Sequence, residues 1–186
     1  MSMNQAIPHD SAKLHVTGKA RYVDDIPLPT KTLHLAFGLS SIANGEIKSI
    51  DLSAVRAAPG VLDIILSKDL PFTNDVAPNA HDEQLLADTH VNFIGQPIFI
   101  VVAKAHTQAR YASTLAIIDY TEGKPIISID EAINSNNRFE EGPRIYETGD
   151  AVSALKSSPH TLEGKLELGG QEHFYLEGQA AIASPQ

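Results

Sequence analysis

The stretch richest in reactive side chains lies close to the end of the chain, at Gly169-Gly170-Gln171-Glu172-His173-Phe174-Tyr175-Leu176-Glu177. Glu177 follows His173 by four positions, so on a helical turn the two side chains would meet. A histidine held by a carboxylate can act as a general base, which would suit a small hydrolase. The same pair can equally form a satisfied structural network. Because no Ser or Cys nucleophile lies nearby, we favour the structural interpretation.

The remaining candidates point away from a metal or phosphate site. No two of the eight histidines lie three or four positions apart, so no helix face presents a histidine pair, and we predict no metal site within this chain. Asp24 and Asp25 would face opposite sides of a strand, which favours a turn over a shared proton. Gly169 and Gly170 match no phosphate-binding pattern, so we predict close backbone approach or a positive φ for them.

Composition narrows the classes of function. The 186 residues carry a net charge of −9, which disfavours nucleic acid and anionic membranes as partners. The absence of cysteine excludes an iron–sulfur cluster, a thiolate zinc site and a disulfide within the chain, and suits a cytoplasmic protein. No stretch approaches the length of a membrane span of about 20 apolar residues. Residues 1–11 lack the features of a signal peptide, so we predict a loose N-terminal tail.

The first half of the chain is predicted to form mainly short strands, with one short helix and one long loop. Residues 12–24 are predicted to be extended. Leu33, Leu35, Phe37 and Leu39 alternate with smaller or polar residues, and this period of two predicts a half-buried strand. Further segments predicted here are strands at 46–51 and 61–66, a helix at 54–58 capped by Ser53, and a long loop at 67–92 with a short strand at 84–87.

A continuous apolar run at residues 98–103, bounded by Gly95 and Pro97, predicts a central strand covered on both faces. Alanines at positions 105, 109, 112 and 116 then predict a helix that packs closely on a sheet, although its start lacks a good N-cap. A strand at 117–120 and a short helix at 129–133 follow. Strand, helix and strand in this order predict an α/β fold.

The last part of the chain is predicted to form a second segment, which follows a domain boundary at residues 134–149. Asp150 is predicted to cap a helix that ends at Lys156. Alternating leucines at 162, 166 and 168 predict a strand, and residues 179–184 predict another. A final strand without its neighbour would leave an unpaired edge, so we expect residues 161–184 to be unpaired or to support self-association.

Four segments resemble the N-terminal part of the molybdopterin-binding subunit of the aldehyde oxidase and xanthine dehydrogenase family. They are Gly18-Lys19-Ala20-Arg21-Tyr22-Val23-Asp24-Asp25-Ile26-Pro27, Ile47–Asp51 with Pro59-Gly60-Val61, Gly95–Ala103 with the Ala109 helix, and Gly149-Asp150 through Glu177. The resemblance implies an α/β (α+β) hammerhead domain at residues 12–135, a linker at 136–149, and the first elements of the molybdenum-cofactor domain at 150–186. The last motif looks closer to xanthine dehydrogenases than to carbon monoxide dehydrogenases.

In that family the whole enzyme hydroxylates purines such as hypoxanthine and xanthine, or aldehydes, with oxygen from water. Electrons pass to 2Fe-2S clusters and FAD in other regions or subunits. The family's later glycine-rich segment, its base glutamate and its substrate-orienting arginine have no counterpart here, so the resemblance assigns no catalytic residue to this chain. Gln171, Glu172, His173 and Glu177 match a family motif without an assigned cofactor contact.

The resemblance therefore implies an inactive fragment of a xanthine dehydrogenase-type molybdenum hydroxylase that binds no molybdopterin by itself. Its partners would be the rest of the molybdopterin-binding subunit and an Fe–S/FAD subunit. Two alternatives stay open: a stand-alone α/β binding or scaffold module, and a small hydrolase that uses His173 and Glu177.

Overall fold

The computed structural model describes residues 6–78, 81–138 and 145–184. The predicted tail at 1–11 and the predicted linker at 136–149 lie partly outside these ranges. The helices are α1 (Ala12–Val16), α2 (Ser53–Ala57), α3 (His106–Ser113), α4 (Ile129–Asn134) and α5 (Ala151–Ser157). The strands are β1 (His34–Leu39), β2 (Gly45–Asp51), β3 (Val61–Leu66), β4 (His90–Val91), β5 (Pro97–Ala103) and β6 (Ile117–Glu122).

The chain forms two compact units. One unit is continuous and spans Lys31–Glu147, and the other combines the N-terminal segment Met1–Thr30 with the C-terminal segment Thr148–Gln186. All six strands belong to the continuous unit, which we call the central unit. The other, which we call the terminal unit, contains α1, a 3-10 turn at Val23–Asp25 and α5 among its described residues.

Two small antiparallel sheets build the central unit. The first has the order β1-β5-β3 and the second has the order β4-β2-β6. The predicted central strand is confirmed, because β5 pairs on both edges and five of its seven residues are buried. The strand–helix–strand order is also present, but β5 and β6 belong to different sheets, so α3 does not connect two parallel strands.

The helix α3 packs on the first sheet through small side chains. Ala109 and Ala112 are fully buried and belong to one hydrophobic core with Phe99 and Val101 of β5. The predicted close packing is therefore confirmed for Ala109 and Ala112, since small side chains let the helix approach the strands. The other two predicted members, Ala105 and Ala116, lie outside α3. Ala105 at the N-cap position supplies no side-chain hydrogen bond, as the sequence predicts.

The alternating strand β1 is confirmed, but its large apolar side chains do not face the core. Leu33, Leu35, Phe37 and Leu39 are each about half exposed, at 51%, 56%, 46% and 52%. The intervening face carries Ala36, which packs against the core cluster, and the buried Gly38. Because the sheet and α3 approach closely, small residues are favoured on the face of β1 that carries Ala36 and Gly38. The alternation of apolar residues alone does not show which face of β1 is buried.

The long loop after β3 is confirmed, whereas the short strand predicted at 84–87 is wrong. Leu86 is fully buried, and the side chain of Asn74 bonds both of its backbone groups. The Asn74 Nδ2 atom donates to the Leu86 carbonyl at 2.7 Å, and Oδ1 accepts from the Leu86 N–H at 3.1 Å. An amide side chain thus takes the place of strand pairing at Leu86. Among the described residues of this region, the strand that does form is β4, which begins at His90.

In the terminal unit, the extended segment predicted at 12–24 is wrong at its start, where α1 forms. Five residues are too few for a helical period to show in the sequence. The cap prediction for α5 is confirmed, because the Asp150 carboxylate accepts from the Ser153 N–H at 2.9 Å and from its hydroxyl at 2.7 Å. These bonds hold the pKa of the Asp150 carboxyl below its usual range.

The two strands predicted after α5 are wrong. Described residues 158–184 contain no strand, and the leucines at 162, 166 and 168 are exposed. Alternation reports which side of a strand would be apolar, but a strand forms only where a neighbour completes its hydrogen bonds. Within the described residues no neighbour does so.

Candidate functional site

The polar–aromatic motif at Gly169–Glu177 turns sharply at Phe174, whose φ is +54°. The Phe174 N–H donates to Glu172 Oε1 at 3.3 Å, which supports the turn. The rings of His173 and Tyr175 stack, with centroids 5.5 Å apart and planes 6° from parallel. The motif is therefore an irregular turn with an aromatic stack and not a helical segment.

This geometry overturns the hydrolase pairing of His173 with Glu177. No helical turn covers these residues, so the four-residue spacing does not bring the two side chains together. Glu177 instead accepts a hydrogen bond at 2.6 Å from the backbone N–H of Val23, 154 positions away. The contacts of His173 and Glu177 thus lead to different groups, and a carboxylate–imidazole base is not assembled.

Burial separates Glu177 from the rest of its segment. Within the described range 145–184, Glu177 alone is partly buried, and Gln171, Glu172 and His173 are exposed. The expectation for the paired glycines is wrong, because neither Gly169 nor Gly170 has a positive φ and a Cβ at either position would meet nothing within 4 Å. The glycines therefore leave this stretch open and do not serve close packing.

The acidic pair before Pro27 forms a turn, as predicted. Asp25 Oδ2 accepts from the backbone N–H of Tyr22 at 2.9 Å, across the 3-10 turn. The Ile26 N–H completes the turn by donating to the Val23 carbonyl at 3.0 Å. Asp25 is thus engaged with the local backbone and not with a second carboxyl.

A polar cleft in the central unit was not predicted from the sequence. Its volume is about 930 Å³, and it is lined by Thr73, Asn74, Asp75, Val76, His81, Asp82, Glu83, Gln84, Asn92, Phe93, Gln96 and Asn137. His81 Nδ1 lies 2.6 Å from Asp75 Oδ2. The Ala77 N–H and then the His81 ring hold the pKa of the Asp75 carboxyl below its usual value.

The His81 side chain is 81% exposed, so water screens its interaction with Asp75. The bond links two positions of the same loop. A sequence signal for this pair did exist, since Asp75 and His81 lie six residues apart in a loop of unusual length.

A second cleft lies beside it in the central unit, with a volume of about 460 Å³. Its lining includes the exposed side chains of Phe93, Ile94 and Ile127, together with Lys124 and Asn44.

Across the described ranges 6–78, 81–138 and 145–184, no three His, Cys, Asp or Glu side chains cluster as metal ligands would. In the same ranges no helix is long and apolar enough to span a membrane.

Comparison with known proteins identifies the family. The family model described as "Aldehyde oxidase and xanthine dehydrogenase, a/b hammerhead domain" matches residues 17–124, and one described as "Molybdopterin cofactor-binding domain" matches residues 133–186. The chain therefore belongs to the aldehyde oxidase and xanthine dehydrogenase family, as its sequence motifs suggest.

Individual relatives agree with this assignment. Xanthine dehydrogenase of Oryza sativa subsp. japonica is 38% identical over 99% of this chain, and aldehyde oxidase 1 of Bos taurus is 40% identical over 97% of it. The chain spans only 14% of the length of each of these relatives. Similarity thus covers nearly all of this chain but only a small part of the relatives.

Solved structures give the same fold. The aldehyde oxidoreductase of Desulfovibrio gigas superposes with a TM-score of 0.70 at 28% identity, over 84% of this chain and 19% of that chain. A Cu,Mo-CO dehydrogenase superposes with a TM-score of 0.61 at 33% identity, over 70% of this chain and 17% of that chain. The architecture of two small sheets and a packed helix is therefore that of molybdenum hydroxylases, and the predicted hammerhead fold class is confirmed.

The described residues of the matched cofactor-binding segment do not by themselves fit a molybdopterin. Such a group needs a concave site with converging hydrogen-bonding groups. Residues 145–184 are exposed apart from Glu177, and the Glu177 carboxylate is engaged by Val23. No reaction step is therefore assigned to the residues of this segment.

Proposed function

We propose that this chain contributes the hammerhead domain and the first elements of the molybdopterin domain to a molybdenum hydroxylase of the xanthine dehydrogenase type. The complete enzyme would hydroxylate hypoxanthine and xanthine, with water as the source of oxygen. The chain by itself would bind no molybdopterin and catalyse no turnover. Its contribution would be to pack against and position the cofactor-bearing part.

One observation carries this proposal. Two consecutive family models match residues 17–124 and 133–186 in order, and a xanthine dehydrogenase aligns with 99% of the chain at 38% identity. The geometry supports the non-catalytic role, because His173 and Glu177 are held by unrelated contacts. The Gly169–Glu177 motif therefore makes structural contacts and does not form an acid–base pair.

The finer features of the proposal follow from the family. The partners would be the rest of the molybdopterin-binding subunit and an electron-transfer subunit that carries 2Fe-2S clusters and FAD, and the complex would be cytoplasmic. The exposed leucines at 162, 166 and 168 support a further proposal, that the isolated chain self-associates through residues 161–184.

We also propose that residues 136–149 link the two domains. The support is that the central unit ends at Glu147, within this range. The hammerhead domain would then end near residue 135, and the molybdopterin domain would begin at residue 150.

A chimeric enzyme tests the function. In the rice xanthine dehydrogenase, this chain replaces the aligned 14% of the polypeptide, and oxidation of hypoxanthine is compared with oxidation of an aromatic aldehyde. We expect the chimera to retain molybdenum and to oxidise hypoxanthine. A control chimera with Phe99→Asp, which places a charge in the hammerhead core, should lose both.

Three outcomes would contradict the proposal. The first is a folded chimera that retains molybdenum and oxidises neither substrate. The second is a folded chimera that does not retain molybdenum. The third is hypoxanthine turnover, or stoichiometric molybdenum, on the purified chain of 186 residues.

A further inference from the structure

The terminal unit is assembled from two segments that are distant in sequence. Residues up to Thr30 and residues from Thr148 onward form one compact unit, while the central unit lies between them in the chain. The hydrogen bond from the Val23 N–H to Glu177 Oε1, at 2.6 Å, joins these two segments directly. Each partner belongs to one of the motifs that carried the family resemblance.

We infer that Glu177 is an anchor residue whose carboxylate fastens the Gly169–Glu177 motif to the Gly18–Pro27 segment, so that the central unit is an insertion within the terminal unit. The inference does not depend on the proposed function. It assigns to Glu177 a positioning role through the backbone and not a role in proton transfer.

The local chemistry explains why a carboxylate suits this position. Val23 opens the 3-10 turn, so its N–H has no partner within the turn, and Asp25 already accepts from the neighbouring Tyr22 N–H. A carboxylate accepts such an N–H through a charge-assisted bond, which is shorter and stronger than a neutral one. The distance of 2.6 Å agrees with that class of bond.

Burial shows that the anchor is polar and not hydrophobic. Phe174, Tyr175 and Leu176, immediately before Glu177, are 90%, 69% and 89% exposed. Glu177 and Val23 are both partly buried, in segments that are otherwise almost wholly exposed. Since the apolar neighbours bury little surface, the Glu177 bond is a described polar contact that joins the two segments directly.

Hydrogen exchange on the full ¹⁵N-labelled chain tests the inference by NMR. Glu177→Ala should raise the exchange rate of the Val23 amide about tenfold, the factor expected for a lost hydrogen bond. Glu177→Gln keeps a neutral acceptor and should give an intermediate rate. Glu172→Ala is the matched control, because the described hydrogen bond of that carboxylate is to the nearby Phe174 N–H, and its loss should leave Val23 unchanged.

Two further readouts keep the test decisive. The Val101 amide of β5 reports the central unit and should keep its exchange rate in all variants, because an inserted unit folds without the anchor. The Val23 amide proton should move upfield in Glu177→Ala and Glu177→Gln, since both remove the charged acceptor. Trypsin should cut after the exposed Lys19 and Arg21 about tenfold faster in Glu177→Ala than in the Glu172→Ala control.

An unchanged Val23 exchange rate and resonance in Glu177→Ala would overturn the anchor. Equal acceleration in Glu172→Ala would overturn it as well, because the effect would then belong to the segment and not to Glu177. If the Val101 amide loses protection together with Val23, the central unit depends on the anchor, and its description as an insertion is wrong.

Discussion

Replacement of Gly38 by alanine tests how closely β1 approaches the core. Gly38 lies opposite Phe99 in the register of β1 and β5, and a Cβ on Gly38 would overlap ring atoms Cε1, Cζ and Cδ1 of Phe99. Phe99 is fully buried, and the fully buried Ala109 and Ala112 of α3 belong to the same core. The ring cannot move without displacing its neighbours, so the substitution overpacks the core.

The expected cost follows from that geometry. Extra methyl groups in a well-packed core cost about 1–3 kcal/mol, and an overlap with three ring atoms of a side chain without free space places Gly38→Ala at about 2 kcal/mol. With a urea m-value of about 2 kcal/mol/M, the midpoint of unfolding should fall by about 1 M. Tyr120 packs against this core, and the chain has no Trp, so tyrosine fluorescence reports the transition.

Gly164→Ala is the matched control, because a Cβ at Gly164 would meet nothing within 4 Å and its φ is not positive. Its midpoint should not change. A double-mutant cycle with Phe99→Leu makes the test specific, because the smaller side chain leaves room for the new methyl group. In that background Gly38→Ala should cost less than about 1 kcal/mol. Strictly additive effects would refute the overlap with Phe99 as the cause.

Three further predictions concern other described contacts. Asn74→Ala should destabilise the central unit by about 2 kcal/mol in urea unfolding, since both backbone groups of the buried Leu86 lose their partner. Because hydrogen bonds from Ser153 lower the pKa of Asp150, the cap of α5 should be fully effective above about pH 4 and weaken as pH falls through the lowered value. Asp150→Asn should remove this pH dependence in NMR of the α5 amides, and an unaltered profile would contradict it. Leu166→Lys should reduce self-association in sedimentation experiments, because it places a charge among the exposed leucines of residues 161–184, and unchanged sedimentation would exclude that segment as the contact.

Elements with a long or strong pattern were predictable from the sequence. The apolar run of β5 and the alanine stripe of α3 both specify burial on their own, and the structure places them together in the core. The orientation of β1 was not predictable in this way. Its apolar residues alternate correctly, but the sequence does not show that α3 lies close enough to select the glycine and alanine face.

The contacts of the candidate site were harder to predict from the sequence than the fold, because some of them join distant parts of the chain. The local hydrogen bonds of Asp25 and Asp150 were predictable, because each spans three residues. The partner of Glu177 was not, since a contact across 154 positions leaves no local period or spacing. The strands predicted after α5 failed for a related reason, because a strand needs a neighbour that a local pattern does not identify.

The discontinuous terminal unit has a consequence for synthesis on the ribosome. Val23 emerges 154 residues before Glu177, which at about 5–20 residues per second is a delay of roughly 8–30 s. The central unit can fold within that interval, whereas the N-terminal segment must wait for its partner. A nascent chain paused before Glu177 should therefore hold a folded middle and an N-terminal segment open to chaperones.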